Sequence, residues 1–302
     1  MTLLPRIPLL RAFGCATVGR ELREVVSRMA EQEEPVRGAF ANGMEFLTWG
    51  TGRRTLLFLG GGPGSGLPQG MSGRMSRRWF DPFVDAGYTV WYVTRRRHLP
   101  PGHSVADMAD DCAAAISERL SGRADLVMGE SYGGMIAQHL AARHGDRVGR
   151  VALVVAAARV SDWGKEVDAR LLAALVRDDR RAFGAAFAEY VLPDPRAHWL
   201  RQLVGPLVVR SILSGTDYPR SDLRVELEAE MEFDARSALP QIRVPVVLLC
   251  GEQDLFFPPD IVDETVRLIP GCTHVGYAGQ GHVKVASSRR VPHDVLAFVD
   301  QG

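Results

Sequence analysis

DLVMGESYGGMIAQHLAARHG, Asp125 to Gly145, reads as a strand, a sharp turn and a helix. An apolar run, Leu126 to Met128, leads in, and a helical pattern, Met135 to His144, leads out. In that setting G-x-S-x-G puts its serine on a turn so tight that the backbone is strained. The residues two before and two after the serine must be small, or their side chains would strike the flanking elements. Gly129 and Gly133 meet that demand. Ser131 then projects its hydroxyl at the carboxyl edge of a sheet, and the Tyr132 N–H faces the same space. The helix N-terminus adds a partial positive charge that favours a developing oxyanion. The pattern occurs once, but in a chain with 31 glycines it also arises by chance, so its partners must decide.

Outward from this turn, strand and helix signals alternate. Asn42-Gly43 between short alternating runs predicts a hairpin. Thr55–Leu59 reads as a buried strand, Met75–Ala86 as a helix and Thr89–Thr94 as a strand. A helix over Val105–Leu120 with Ser104 as its N-cap follows, and Val151–Ala156 is a strand after the turn. From Ser161 to Phe233 strand signals vanish, and Ala, Leu, Arg and Glu recur with helical spacing broken at Pro193, Pro195, Pro206 and Pro219. Alternation resumes with strand Pro245–Gly251, a helix near Pro259–Ile269, strand Thr273–Ala278 and a helix from Pro292 to Val299. Such alternation implies right-handed crossovers and a mainly parallel sheet, here preceded by an antiparallel hairpin. The expected fold is α/β, with a core of residues 36–160 and 234–302, a helical cap insertion at 161–233, and a helical prefix within 1–35 centred on Leu9 to Met29.

Composition excludes several classes of function. With 46% hydrophobic and 24% charged residues, the chain of 302 residues has the make-up of a soluble globular protein. Lys plus Arg and Asp plus Glu number 36 each, which gives no reason to expect a nucleic acid or an anionic membrane as partner. Cys15, Cys112, Cys250 and Cys272 show neither C-x-x-C spacing nor histidine companions at metal-site intervals, so reduced thiols in a cytoplasmic protein are expected rather than a disulfide framework or a metal site. Pro5, Arg6, Pro8 and Arg11 interrupt the apolar N-terminus, and no run is long enough for a membrane span. No cofactor is expected, the partner is a small-molecule substrate, and homo-oligomerisation stays open.

A serine hydroxyl becomes a good nucleophile only when a base takes its proton and a third group orients that base. In this topology the acid and the histidine should follow the serine, each at the end of a later strand. PVVLLCG runs into Glu252-Gln253-Asp254, which places Asp254 on the next loop. The strand ending near Ala278 runs into Gly279-Gln280-Gly281-His282, where the glycines let the loop carry the imidazole back over the serine. Glu252 competes as the acid, and His274 and His293 compete as the base, but these two histidines fall within a strand and a helix pattern. Ser131, Asp254 and His282 are the candidate catalytic residues. Gly60-Gly61-Gly62-Pro63-Gly64 after TLLFL lacks the Gly-Lys-Ser/Thr ending of a phosphate loop and does not fit G-x-G-x-x-G, so it reads as half of an oxyanion hole.

With these motifs in place, the chain resembles the α/β-hydrolase superfamily from about residue 36 onward. Gly-Gly-Pro-Gly together with Gly-x-Ser-Tyr-Gly-Gly is similar to the proline iminopeptidase branch and related esterases. The resemblance implies Ser131 as nucleophile, Asp254 as acid, His282 as base, the N–H groups of Gly62 and Tyr132 as the oxyanion hole, and residues 161–233 as a cap over the pocket. The chain departs from that branch at Gly60-Gly61, where His-Gly is usual, and at Thr94 to Ser104, where Asp-x-Arg-Gly-x-Gly-x-Ser is usual.

Substrate hints are fewer. Glu226, Glu228, Glu230 and Glu232 read either as recognition of an amino group or, the favoured reading, as a solvated helix face. Trp163, Tyr190 and Trp199 either line an acyl pocket or pack the cap, and Arg95–Arg97, on a carboxyl-edge loop, either meet an anionic substrate group or, the favoured reading, face solvent. The expected activity is ester or amide hydrolysis through an acyl-enzyme on Ser131. Aminopeptidase action, cofactor-free lyase or acyl-transfer chemistry on the same residues, and a non-catalytic binding role remain as alternatives.

Overall fold

The computed structural model describes residues 34–213 and 219–301; the helical prefix expected near the N-terminus lies outside them. Strands β1 (Val36–Ala39), β2 (Glu45–Trp49), β3 (Arg54–Leu59), β4 (Tyr88–Val93), β5 (Ala124–Glu130), β6 (Val148–Val154), β7 (Val246–Gly251) and β8 (Thr273–Tyr277) build one sheet in the order β1-β2-β4-β3-β5-β6-β7-β8. The β1–β2 and β2–β4 pairs are antiparallel, and every later pair is parallel. The hairpin turns where expected: Gly43 has φ +86°, and the Asn42 side-chain oxygen Oδ1 accepts the Met44 N–H at 3.1 Å.

Along the central strands, side chains alternate between two apolar layers, because successive residues point to opposite faces. Leu57, Val127, Leu153 and Leu248 pack under α3 (Val105–Arg119), α4 (Tyr132–Arg143) and α9 (Pro259–Leu268). Leu56, Leu126, Met128 and Val247 pack against α2 (Asp81–Asp85) and α11 (Arg290–Asp300) on the other side. Covering on both faces is why Leu126–Met128 of β5 and the whole of β7 read as unbroken apolar runs.

Between β6 and β7 the chain forms α5 (Asp162–Val176), α6 (Arg180–Val191), α7 (His198–Leu213) and α8 (Arg220–Glu232). Three expectations need correction. Met75–Ala86 is two helices, α1 (Gly70–Arg78) and α2, because Pro82 in the first turn of α2 supplies no N–H and opens a new helix. Pro206 does not break the insertion but lies inside α7. There α7 packs on α6 so closely that a Cβ on Gly205 would lie 2.9 Å from the Ala185 nitrogen, and this packing outweighs the missing hydrogen bond. The loop after β8 turns at once into a short helix, α10 (His282–Ala286).

Candidate active site

Ser131 is the residue between β5 and α4, held at φ 49°, ψ −114°. Its N–H donates to the Val154 carbonyl at 2.8 Å, which ties the turn to β6. Added Cβ atoms would lie 2.4 Å from the Gly133 oxygen at Gly129 and 2.0 Å from the Leu59 oxygen at Gly133, so only glycine allows β3, β5 and α4 to meet this closely.

His282 is the first residue of α10, and its Nε2 lies 3.0 Å from Ser131 Oγ. Its Nδ1 lies 2.8 Å from Asp254 Oδ2. Asp254 is 1% exposed, and its other oxygen accepts the N–H groups of Phe256 and Phe257 at 2.9 and 3.1 Å. A carboxylate fixed in this way favours a proton on Nδ1, which leaves the Nε2 lone pair for the serine hydroxyl. Phe256 and Phe257 flank the imidazole at 5.1 and 5.9 Å between ring centroids. Glu252 is exposed, as is His293 on α11, while His274 lies on β8; Asp254 and His282 are the acid and histidine that meet Ser131.

The glycine loop after β3 runs beside the serine, since a Cβ on Gly61 would sit 3.0 Å from the Ser131 Cβ. Gly62 has φ +69°, and its N–H has no acceptor among the described residues. Tyr132, the first residue of α4, is buried, and its hydroxyl donates to the Glu226 carbonyl at 3.1 Å.

Ser131 and His282 open on a cavity of about 950 Å³ whose wall includes Phe58, Trp79, Tyr92, Phe187, Tyr190 and Phe256. Asp81, Glu130 and Glu230 also line it. Glu130, beside the serine, is pushed up to about 7 by burial, against the pull of nearby His282. Glu230, on α8, has a buried oxygen with no hydrogen-bond partner among the described residues, and burial reinforced by the neighbouring Asp168 raises it well above the carboxylate range. Asp168 itself is raised by burial to about 7, although it accepts the Tyr190 hydroxyl at 2.5 Å.

Sequence reasoning missed these carboxyl groups and misplaced an arginine. Glu226 and Glu230 are 0% and 4% exposed, so they do not belong to a solvated face, and Arg95 is 5% exposed rather than facing solvent. Arg97 pairs with Glu45 at 2.5 Å and Arg96 with Asp111 at 3.4 Å. Helical geometry carried the signal: at 3.6 residues per turn, Asp222, Glu226 and Glu230 share one stripe, while Glu228 and Glu232 lie on another side. Asp222 accepts the His98 and Leu99 N–H groups at 2.9 Å each, and Glu226 pairs with Arg95, so the buried stripe runs down to the pocket.

A profile of the alpha/beta hydrolase fold family matches residues 54–285. The chain belongs to that family. This α/β-hydrolase is 29% identical over 209 residues to a pimeloyl-[acyl-carrier protein] methyl ester esterase of Neisseria meningitidis, covering 65% of this chain and 78% of the relative. Among solved structures, the enol-lactonase of Burkholderia xenovorans LB400 superposes with a TM-score of 0.66 at 25% identity, over 88% of this chain and 100% of the other. A hydrolase of Pseudomonas aeruginosa PA01 does so with a TM-score of 0.68 at 22% identity, over 88% and 98%. These relatives are named for ester, lactone and general hydrolase activity, and do not single out the aminopeptidase branch. Among the described residues no group of three or more His, Cys, Asp and Glu side chains is disposed to hold a metal ion, and no helix is long and apolar enough to cross a membrane.

Proposed function

We propose that the chain is a serine hydrolase that cleaves a small-molecule ester through an acyl-enzyme on Ser131, with residues 161–233 acting as the cap. The observation that carries this reading is the continuous relay from Asp254 to His282 to Ser131, at 2.8 and 3.0 Å. His282 Nε2 takes the hydroxyl proton as Ser131 Oγ bonds to the ester carbon, and the carbonyl electron pair moves onto oxygen. The N–H groups of Gly62 and Tyr132 receive that oxyanion. When the tetrahedral species collapses, the ester C–O bond breaks and the proton on Nε2 passes to the leaving alcohol. Water then gives a proton to the same nitrogen and attacks the acyl carbon; as the acyl C–Oγ bond breaks, that proton passes to Ser131 Oγ and the acid is freed. The aromatic wall suits an apolar acyl or alcohol group, and the names of the relatives favour an ester.

One observation favours a second reading, an amide substrate that carries a protonated amine. Glu230 brings to the pocket a buried carboxyl oxygen that has no partner among the described residues, and an ammonium group would satisfy it.

Turnover of p-nitrophenyl butyrate and of proline and alanine p-nitroanilides, by wild type and Ser131→Ala, separates the readings. The expected result is ester cleavage that falls at least about a thousandfold in the variant, with slow anilide cleavage. Efficient serine-dependent anilide cleavage would move the assignment to an aminopeptidase. Equal turnover by both proteins would reject the mechanism.

A further inference from the structure

A buried ion pair beside the glycine loop is not used by the chemistry above, yet its contacts reach the oxyanion site. Arg95, on the loop after β4, and Glu226, on α8, have side chains 4% and 0% exposed, and Arg95 Nε donates to Glu226 Oε1. The guanidinium continues past its partner: Nη2 donates to the Gly62 carbonyl at 2.7 Å and Nη1 to the Gly60 carbonyl at 3.4 Å. The other Glu226 oxygen accepts the Gly64 N–H at 2.5 Å. One pair therefore grips the loop at three successive even positions, on both sides of the proposed donor. The same guanidinium lies over the Tyr132 ring at 4.3 Å from its centroid, and the Tyr132 hydroxyl reaches the Glu226 carbonyl. The Arg95 N–H also donates to Ser65 Oγ at 2.7 Å, just past the loop.

We infer that Arg95 and Glu226 are positioning residues that set the Gly62 N–H for the oxyanion, so that the hole is complete only while α8 is seated against the loop. This rests on the serine-hydrolase reading of the site. The physical argument concerns freedom in the loop. Gly60 to Gly62 have no side chains to lock them, and Gly62 and Gly64 stand at φ +69° and +81°, where glycine has neighbouring conformations at little cost. Anchoring the Gly62 carbonyl fixes the orientation of that residue, and its N–H then keeps one direction. Charged donors and acceptors excluded from water are well suited to this, because their hydrogen bonds are short and directional. Asp222, one turn earlier on α8, holds the His98 and Leu99 N–H groups and keeps the Arg95 loop on the same helix.

The test compares wild type with Glu226→Gln, Arg95→Met and the charge-free double variant Arg95→Met/Glu226→Leu, with Glu228→Gln on the outer side of α8 as control. For each folded protein, kcat and KM for p-nitrophenyl butyrate are measured with the inhibition constant of a butyl trifluoromethyl ketone, whose serine adduct places an oxyanion in the hole. Glu226→Gln should lower kcat about a hundredfold, with KM within threefold and ketone affinity falling in proportion to kcat/KM. The double variant should lose no more than the worse single variant, because the pair acts as one unit. Arg95→Met removes the cation that pairs with a buried carboxylate and is the variant most prone to misfold; Glu226→Gln and the double variant keep the inference exposed if it does. Ketone affinity and kcat unchanged within threefold, or a loss confined to KM, would overturn it. If wild type turns over no ester, the rate at which a fluorophosphonate esterifies Ser131 reads the same hole. A rate in Glu226→Gln equal to wild type then rejects the positioning role, whereas a hundredfold slower rate supports it while the ester assignment fails.

Discussion

At Gly133 a single methyl group would meet the Leu59 carbonyl oxygen at 2.0 Å, and backbone cannot yield as a flexible side chain can. Gly133→Ala should therefore destabilise the fold by at least about 3 kcal/mol, read as a shift in the urea midpoint; a midpoint equal to wild type would mean that the elbow is looser than described. Glu130 yields a pH-dependent prediction. Its folded value is about 7 against an ordinary 4.5, so between these limits the folded chain keeps a proton that the unfolded chain has released, and stability falls as pH rises through that window. Glu130→Gln should be more stable than wild type by roughly 1–3 kcal/mol at pH 8 and little different at pH 4. A gain that is the same at both pH values would assign the effect to packing. Ser131, Asp254 and His282 were legible in the sequence because each follows an apolar run in the required order. Glu130 was not: it occupies the free position of the motif, and nothing in the spacing says that this side chain turns into the cavity rather than out to water.

At the scale of elements, α8 shows why alternating glutamates mislead. Positions two apart lie about 200° apart around a helix, so four glutamates at even numbers form two faces. One is buried against the glycine loop and the pocket; on the other, Glu228 pairs with Arg224 at 2.7 Å. Charge composition could announce the acidity of α8, but only helical phase could divide it. Proline carried the opposite lesson in α7, where a residue expected to end the helix lies within it. Pro206 is exposed and gives up one hydrogen bond, so Pro206→Ala should raise stability by about 1–3 kcal/mol, seen as a higher Tm. A lower Tm would show that the proline ring is needed where α7 meets α6. The sheet was legible because its central strands are buried on both faces. The split between α1 and α2, and the start of α10, were not, since each depends on local backbone geometry that apolar periodicity does not record.

Across the whole molecule, buried carboxyl groups oppose the surface ones. Glu130, Asp168 and Glu230 are all raised by burial, so each favours the folded state less as pH rises above the ordinary carboxylate range. Asp107, bonded to Ser104 in the capping box of α3, and Asp234, bonded to Arg236, are lowered, and their contribution is lost as pH falls through their depressed values. Half-buried His139 is lowered and works the other way, favouring the fold as pH rises to its ordinary 6.5. Three groups against one set the balance: the urea midpoint should peak between about pH 4 and 6 and decline toward pH 8. A midpoint that climbs steadily to pH 8 would mean that the pocket carboxyl groups are ionised and paired in the folded protein.

The central claim is that Ser131 is an activated nucleophile, and labelling by a fluorophosphonate, followed by intact mass and by mapping of the modified peptide, tests it most directly. One adduct should form on Ser131, vanish in Ser131→Ala, and form at least about a thousandfold more slowly in His282→Ala. An unlabelled wild type, or an adduct that persists in Ser131→Ala, would contradict the account.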